Sequence, residues 1–175
     1  MSIQSVWQQS FDFFGKPVVV EPSEVELTSD AGWLPIREFD QRIGLTEQFA
    51  AALTDRRYQP SVEHTLREMV RMRVYGILAD YPDQNDHDVL RSDPIFKLLC
   101  DRSIHDDDLA SQPTLSRFEN TIGVRCFFAL RDLLIDQFIE SFDEPPGQVT
   151  LDIDTFDDPT HGDQQLTFFH GYYDQ

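Results

Sequence analysis

The sequence predicts an α+β fold, a mostly helical region followed by a β-hairpin at the C-terminal end. Three observations carry that reading. Apolar residues recur at three- and four-residue intervals between Leu34 and Phe142, the spacing of one helix face. Pro145-Pro146-Gly147 then stops any helix. Beyond it Val149, Leu151 and Ile153 alternate with polar residues, which is the two-residue period of a strand.

Residues 1–31 read as an extended arm or short strands, because Pro17-Val18-Val19-Val20 and Val25-Glu26-Leu27 flank a turn at Pro22-Ser23. Residues 32–144 form the helical region. Leu34 to Ile43 makes a first helix ended by Gly44, and Thr46 caps a second running to about Leu53. Leu66, Met69, Val70, Val74, Ile77 and Leu78 give residues 62–79 an amphipathic pattern with Arg67 and Arg71 on its outer face. Asp93-Pro94 is a cap followed by a first-turn proline, so a helix is expected over Ile95 to Leu99. Pro113-Thr114 opens the longest expected helix, Leu115 to about Phe142, with Leu130, Leu133, Leu134, Phe138 and Ile139 as its core stripe. Residues 148–175 then form the hairpin, Val149 to Thr155 paired with Leu166 to Tyr173 across a turn.

The chain has 175 residues and a net charge of -18, which opposes passive binding to nucleic acid or to an anionic membrane. The charge is unevenly placed. From Asp132 onward there are eleven acidic residues and no Lys or Arg, whereas Arg37 to Arg131 holds thirteen basic residues against sixteen acidic ones. Cys100 and Cys126 lack paired zinc-site spacing, so reduced core thiols in a cytoplasmic protein are expected. There is no basic leader and no membrane-length apolar run, so no membrane partner is expected.

Phosphate-loop, dinucleotide, HExxH and GxSxG motifs are all missing. An EF-hand loop starting at Asp152 fails because Phe156 and Asp157 occupy positions that need a ligand and a glycine. What remains is the strand bearing Asp152 and Asp154. On a strand the two share one face, and two acids on an otherwise apolar element need a compensating positive charge. Carboxylate oxygens suit magnesium or manganese. The competing reading makes Asp152 a solvated strand residue and Asp157 and Asp158 caps of the turn.

A second candidate site lies at Ser111-Gln112-Pro113-Thr114-Leu115-Ser116-Arg117. It reads as the start of a helix-turn-helix recognition helix, in which Thr114 or Ser116 touches phosphate and Arg117 reaches a base. Arg67 and Arg71, one turn apart, form a further candidate phosphate contact. Their bland alternative is a solvated face paired with Glu63 and Glu68.

The run Leu151-Asp152-Ile153-Asp154-Thr155-Phe156-Asp157-Asp158-Pro159-Thr160-His161-Gly162-Asp163-Gln164-Gln165, followed by Phe168-Phe169-His170-Gly171-Tyr172-Tyr173-Asp174, resembles the first catalytic segment of bacterial insertion-sequence DDE transposases. The branch is the one whose members carry D-x-D-x-T-D-D-P-T-H-G-Q-Q and then F-F-x-G-Y-Y-D. Asn85 to Pro94 and Leu109 to Asn120 match it as well, so the resemblance runs from about Gly32 to Gln175. It implies a ribonuclease-H-like catalytic domain whose first strand carries the first of three carboxylates binding two magnesium ions. Asp154 corresponds best to that carboxylate, with Asp152 its competitor and Phe156 standing where relatives often keep Thr. The implied reaction is DNA cleavage and strand transfer at insertion-sequence ends. The implied partners are transposon-end DNA and a homo-oligomer or full-length transposase. The later Asp and Glu are absent, so a truncated ribonuclease-H-like domain, inactive alone, is expected. The alternatives are a non-catalytic regulator that binds DNA or full-length transposase, and a decayed fragment.

Overall fold

The structure is a computed structural model and describes residues 9–13, 16–20 and 30–154. The chain divides into two units, Met1–Ser141 and Phe142–Gln175.

In the first unit, strands β1 (Gln9–Phe13) and β2 (Lys16–Val20) pair antiparallel, with Gln9 opposite Val20 and Phe13 opposite Lys16. Helices follow: α1 (Leu34–Ile43), α2 (Leu45–Ala52), α3 (Leu66–Leu78), α4 (His87–Leu90), α5 (Pro94–Leu99), α6 (Gln112–Asn120) and α7 (Val124–Glu140). None of the described helices is long and apolar enough to cross a membrane.

Local chemistry sets several boundaries. Gly44 ends α1 at φ 69°, and its N–H donates to the Asp40 carbonyl, a left-handed cap that only glycine adopts cheaply. Thr65 accepts from the Glu68 N–H at the start of α3. Asp93 accepts from the N–H groups of Ile95 and Phe96 at the start of α5. Thr46 does not cap α2 as expected. It lies inside the first turn, and the Asp40 carboxylate of α1 satisfies its N–H at 2.9 Å.

The core gathers Leu34 of α1, Met69, Met72 and Tyr75 of α3, Phe96 and Leu99 of α5, Leu109, and Leu115 of α6, all fully buried or nearly so. Full burial of each large apolar side chain stabilises the fold by about 1.5–3 kcal/mol. A polar network runs through this core. Asp40 accepts from Thr46 Oγ1 (2.5 Å) and Tyr75 OH (2.7 Å), while Arg71 Nε donates to Thr46 Oγ1 (3.1 Å). Asp101 accepts from Arg37 at 2.6 Å and from Arg71. A second knot centres on Arg73, which pairs with Glu119 of α6, contacts His87 Nε2 at 3.0 Å and donates to the Pro82 carbonyl.

Two expectations need correction. The α+β assignment, a helical region followed by the first hairpin of a truncated ribonuclease-H-like domain, is not met. Residues 148–154 contain no strand, and apart from β1 and β2 the described residues are helix, turn and irregular chain. Alternation sets a two-residue period but supplies no pairing partner, and strand geometry needs one. The second expected strand, Leu166 to Tyr173, lies outside the described residues, as does Val25-Glu26-Leu27. The single helix over Leu115 to Phe142 is also two helices, α6 and α7. Thr121 Oγ1 bonds back to the Phe118 carbonyl, and Gly123 is extended (φ -89°, ψ 163°), so the break falls where a side chain and a glycine both favour leaving the helix.

Candidate functional site

α6 starts at Ser111, whose carbonyl accepts from the N–H groups of Thr114 and Leu115, with a proline in the first turn. Its buried face is Leu115 and Phe118. That leaves Thr114 and Arg117, three residues apart, on the open side, where Arg117 Nη2 donates to Thr114 Oγ1 at 3.1 Å. Both residues line two clefts and so form the wall between them. Ser116 lines neither, and its carbonyl accepts from Asn120 at 2.8 Å.

The two clefts differ in charge. The larger, about 810 Å³, includes Asp106, Asp107, Asp108 and Glu63 along with Arg57, Arg91 and Arg117. The smaller, about 530 Å³, has an apolar side of Leu66, Met69 and Phe118 and presents Arg56, Arg57 and Arg117 against Asp55 alone. Asp55 is already engaged. Arg57 grips both its oxygens at 2.8 and 2.7 Å and also donates to the His64 carbonyl. The Arg57 hydrogen bonds hold the Asp55 carboxyl well below the usual carboxylate range. Arg56 and Arg117 have no carboxylate partner among the described residues. The smaller cleft therefore keeps two guanidinium groups with no carboxylate partner among the described residues next to the start of a helix, where an anion is favoured.

Arg56 and Arg57 were missed in the sequence, although two adjacent arginines just past an expected helix end were visible there. Arg67 and Arg71 do not act together as an outward pair. Arg67 is half exposed and donates to Glu47 at 3.0 Å. Arg71 is only 5 % exposed and is spent on Thr46 and Asp101 in the core. Its position on the outer face of α3 is thus corrected: the side of α3 that faces α2 and α5 includes it. Nor is there a tight helix-turn-helix connection before α6, since residues 100–111 separate it from α5.

Asp152 and Asp154 are exposed and lie on irregular chain, so no strand face aligns them. Among the described residues no group of three or more His, Cys, Asp or Glu side chains could hold a metal ion. The donor chemistry of this pair nevertheless fits a hard divalent cation, because magnesium usually takes one or two protein carboxylates and fills its remaining positions with water and phosphate. Asp157, Asp158, Asp163 and Asp174 lie outside the described residues.

The family model described as transposase DDE domain group 1 matches residues 12–175. No curated protein and no solved structure matches the chain.

Proposed function

The chain belongs to the family of DDE-domain transposases, and from that premise we propose that its helical unit holds insertion-sequence-end DNA while Asp154 serves the cleavage and strand-transfer chemistry. The observation that carries the DNA part is the smaller cleft. In a chain of net charge -18, Arg56 and Arg117 line this cleft beside Arg57 with no carboxylate partner among the described residues. Such guanidinium groups, with Thr114 lining the same cleft, suit phosphate oxygens. Arg117 has the reach to go on to a base edge. Arg67, half exposed, is a peripheral phosphate contact in this reading, whereas Ser116 and Arg71 have no direct part in it.

Asp154 is the proposed metal-ligating carboxylate and Asp152 its competitor, on the strength of donor chemistry and exposure. Magnesium or manganese bound there supplies charge stabilisation for phosphoryl transfer. A second copy of the chain or a full-length transposase is the proposed protein partner, since two element ends are handled together.

The test is fluorescence anisotropy of labelled inverted-repeat DNA across a salt series. Arg56→Ala and Arg117→Ala should each weaken binding and lower the slope of log K against log salt by about 1, as expected when one phosphate contact is lost. Arg71→Ala should report on folding instead. Unchanged affinity and slope in the Arg56→Ala/Arg117→Ala double variant would sink the DNA assignment.

A further inference from the structure

His64 lies two residues ahead of α3 and lines the larger cleft. Its Nδ1 sits 2.5 Å from Glu68 Oε1, and the other oxygen of that carboxylate accepts from Arg102 Nε at 3.0 Å. The two side chains are largely buried, 12 % and 6 % exposed. The carboxylate is thus held on both oxygens and fixes the imidazole in turn. Since a carboxylate only accepts, Nδ1 carries a hydrogen, and Nε2 is the nitrogen left to gain or lose a proton. Nε2 has no hydrogen-bond partner among the described residues and is not sealed from solvent.

This ring stands beside the groups proposed to hold DNA. Arg57 and Arg117 line both clefts, and Arg57 Nη1 donates to the His64 carbonyl at 2.9 Å. A DNA strand carries a phosphate about every 3.4 Å of helix axis. One laid across the wall of Thr114 and Arg117 therefore presents phosphates to the larger cleft as well. That cleft disfavours them while the imidazole is neutral. Its lining sets Arg57, Arg91 and Arg117 against Glu63, Asp106, Asp107 and Asp108, one carboxylate in excess. A neutral ring whose Nδ1–H is spent on Glu68 offers a phosphate only the Nε2 lone pair, which repels it. Protonation replaces that lone pair with a charged N–H donor and cancels the excess. Two of the four acids are engaged elsewhere: Asp106 accepts from the Ser103 N–H at 2.8 Å, and Asp108 faces Arg91 at 3.2 Å and Lys97 at 3.6 Å.

We propose that His64 is a DNA-phosphate contact on the larger-cleft side of the wall, made through Nε2 of the imidazolium, with Glu68 positioning the ring. The inference rests on the DNA reading of the smaller cleft. Imidazole is the side chain whose charge ordinarily changes between pH 5 and 8, so this contact couples DNA binding to the uptake of a proton.

The test is fluorescence anisotropy of the full chain with labelled inverted-repeat DNA at pH 8 and at pH 6, each over a salt series. Wild type and His64→Gln should bind alike at pH 8 and separate at pH 6. There wild type should bind roughly fivefold or more tightly, with a slope of log K against log salt steeper by about 1. The remaining histidines are common to both proteins, so the difference belongs to His64. A second measurement needs no variant: the His64 imidazole resonance of the wild-type chain should titrate at higher pH with DNA bound than without it, because binding and protonation favour each other by the same factor. Equal affinities at both pH values overturn the proposal, as does a variant weaker by the same factor at both, or an imidazole titration that DNA leaves unmoved. The DNA reading fails separately, on the Arg56→Ala/Arg117→Ala double variant at pH 8, where His64 makes no contact. A chain that binds no DNA at either pH overturns both.

Discussion

Replacing Asp101 with Asn isolates what the buried charge network contributes. Asp101 follows α5 with φ 62°, a left-handed conformation that Asn tolerates nearly as well as Asp, so backbone strain changes little. What changes is the charge. Arg37 and Arg71, 4 % and 5 % exposed, both direct a guanidinium nitrogen at this carboxylate. Arg37 depends on it most, since its Nε and Nη1 already lack hydrogen-bond partners. Arg71 keeps Thr46 and a more distant Glu47 oxygen at 3.8 Å. Breaking a buried pair by removing one member costs about 3–5 kcal/mol. The Asp101 side chain is 27 % exposed, so water partly replaces the lost charge and the expected cost falls to about 2–3 kcal/mol. For a chain of this length each kcal/mol shifts the melting midpoint by about 2–4 °C, giving a drop of roughly 4–12 °C.

The assay is thermal and urea denaturation followed by circular dichroism at neutral pH, and then the same as a function of pH. Burial works against ionising Asp101, but the Arg37 hydrogen bond and the charges of Arg71 and Arg37 prevail and hold its carboxyl below the ordinary value. A group depressed in the folded state stabilises above its unfolded pKa, about 3.9 for Asp, and loses that contribution as pH falls below it. The stability gap between wild type and Asp101→Asn should therefore be constant above about pH 4 and close below it. A gap under about 0.5 kcal/mol at neutral pH, or one that closes near pH 6, would refute the reasoning.

Two further outcomes follow from the knot around Arg73. Burial first, and the Arg73 charge second, push the fully buried His87 imidazole down from 6.5 to about 4. The neutral form is thus the folded one, and stability should decline by up to about 3 kcal/mol as pH falls from 6.5 to 4; urea midpoints of His87→Gln should lack that decline, and an identical slope would count against a titrating His87. A Cβ at Gly76 would lie 2.8 Å from His87 Cε1, so Gly76→Ala should lower stability by about 1–3 kcal/mol. His87→Ala in that background should lose less than it does alone, and simple additivity in a double-mutant cycle would contradict the contact.

The parts of this molecule legible in the sequence are those set within one turn of chain. Gly44 and Asp93-Pro94 announce their helix ends because the residues that satisfy the terminal backbone groups are adjacent to them. Thr114 and Arg117 were likewise readable as neighbours at the start of a helix. Arg71 was not legible. Helical spacing places a side chain at an angle about its own axis, but whether that angle meets water depends on Thr46 of α2 and on Asp101 after α5, distant in sequence. The same holds for Arg57, whose role follows from folding the chain after α2 against α6.

α7 was misread for a related reason. Its apolar residues do repeat with helical period, so the sequence assigned Leu130, Leu133, Leu134, Phe138 and Ile139 to one core stripe. At about 100° per residue they cannot share one face: Leu130 and Leu133 turn toward the covered side and Leu134 and Ile139 toward the exposed side. Apolar content alone cannot separate a helix buried on all sides from one with two distinct faces.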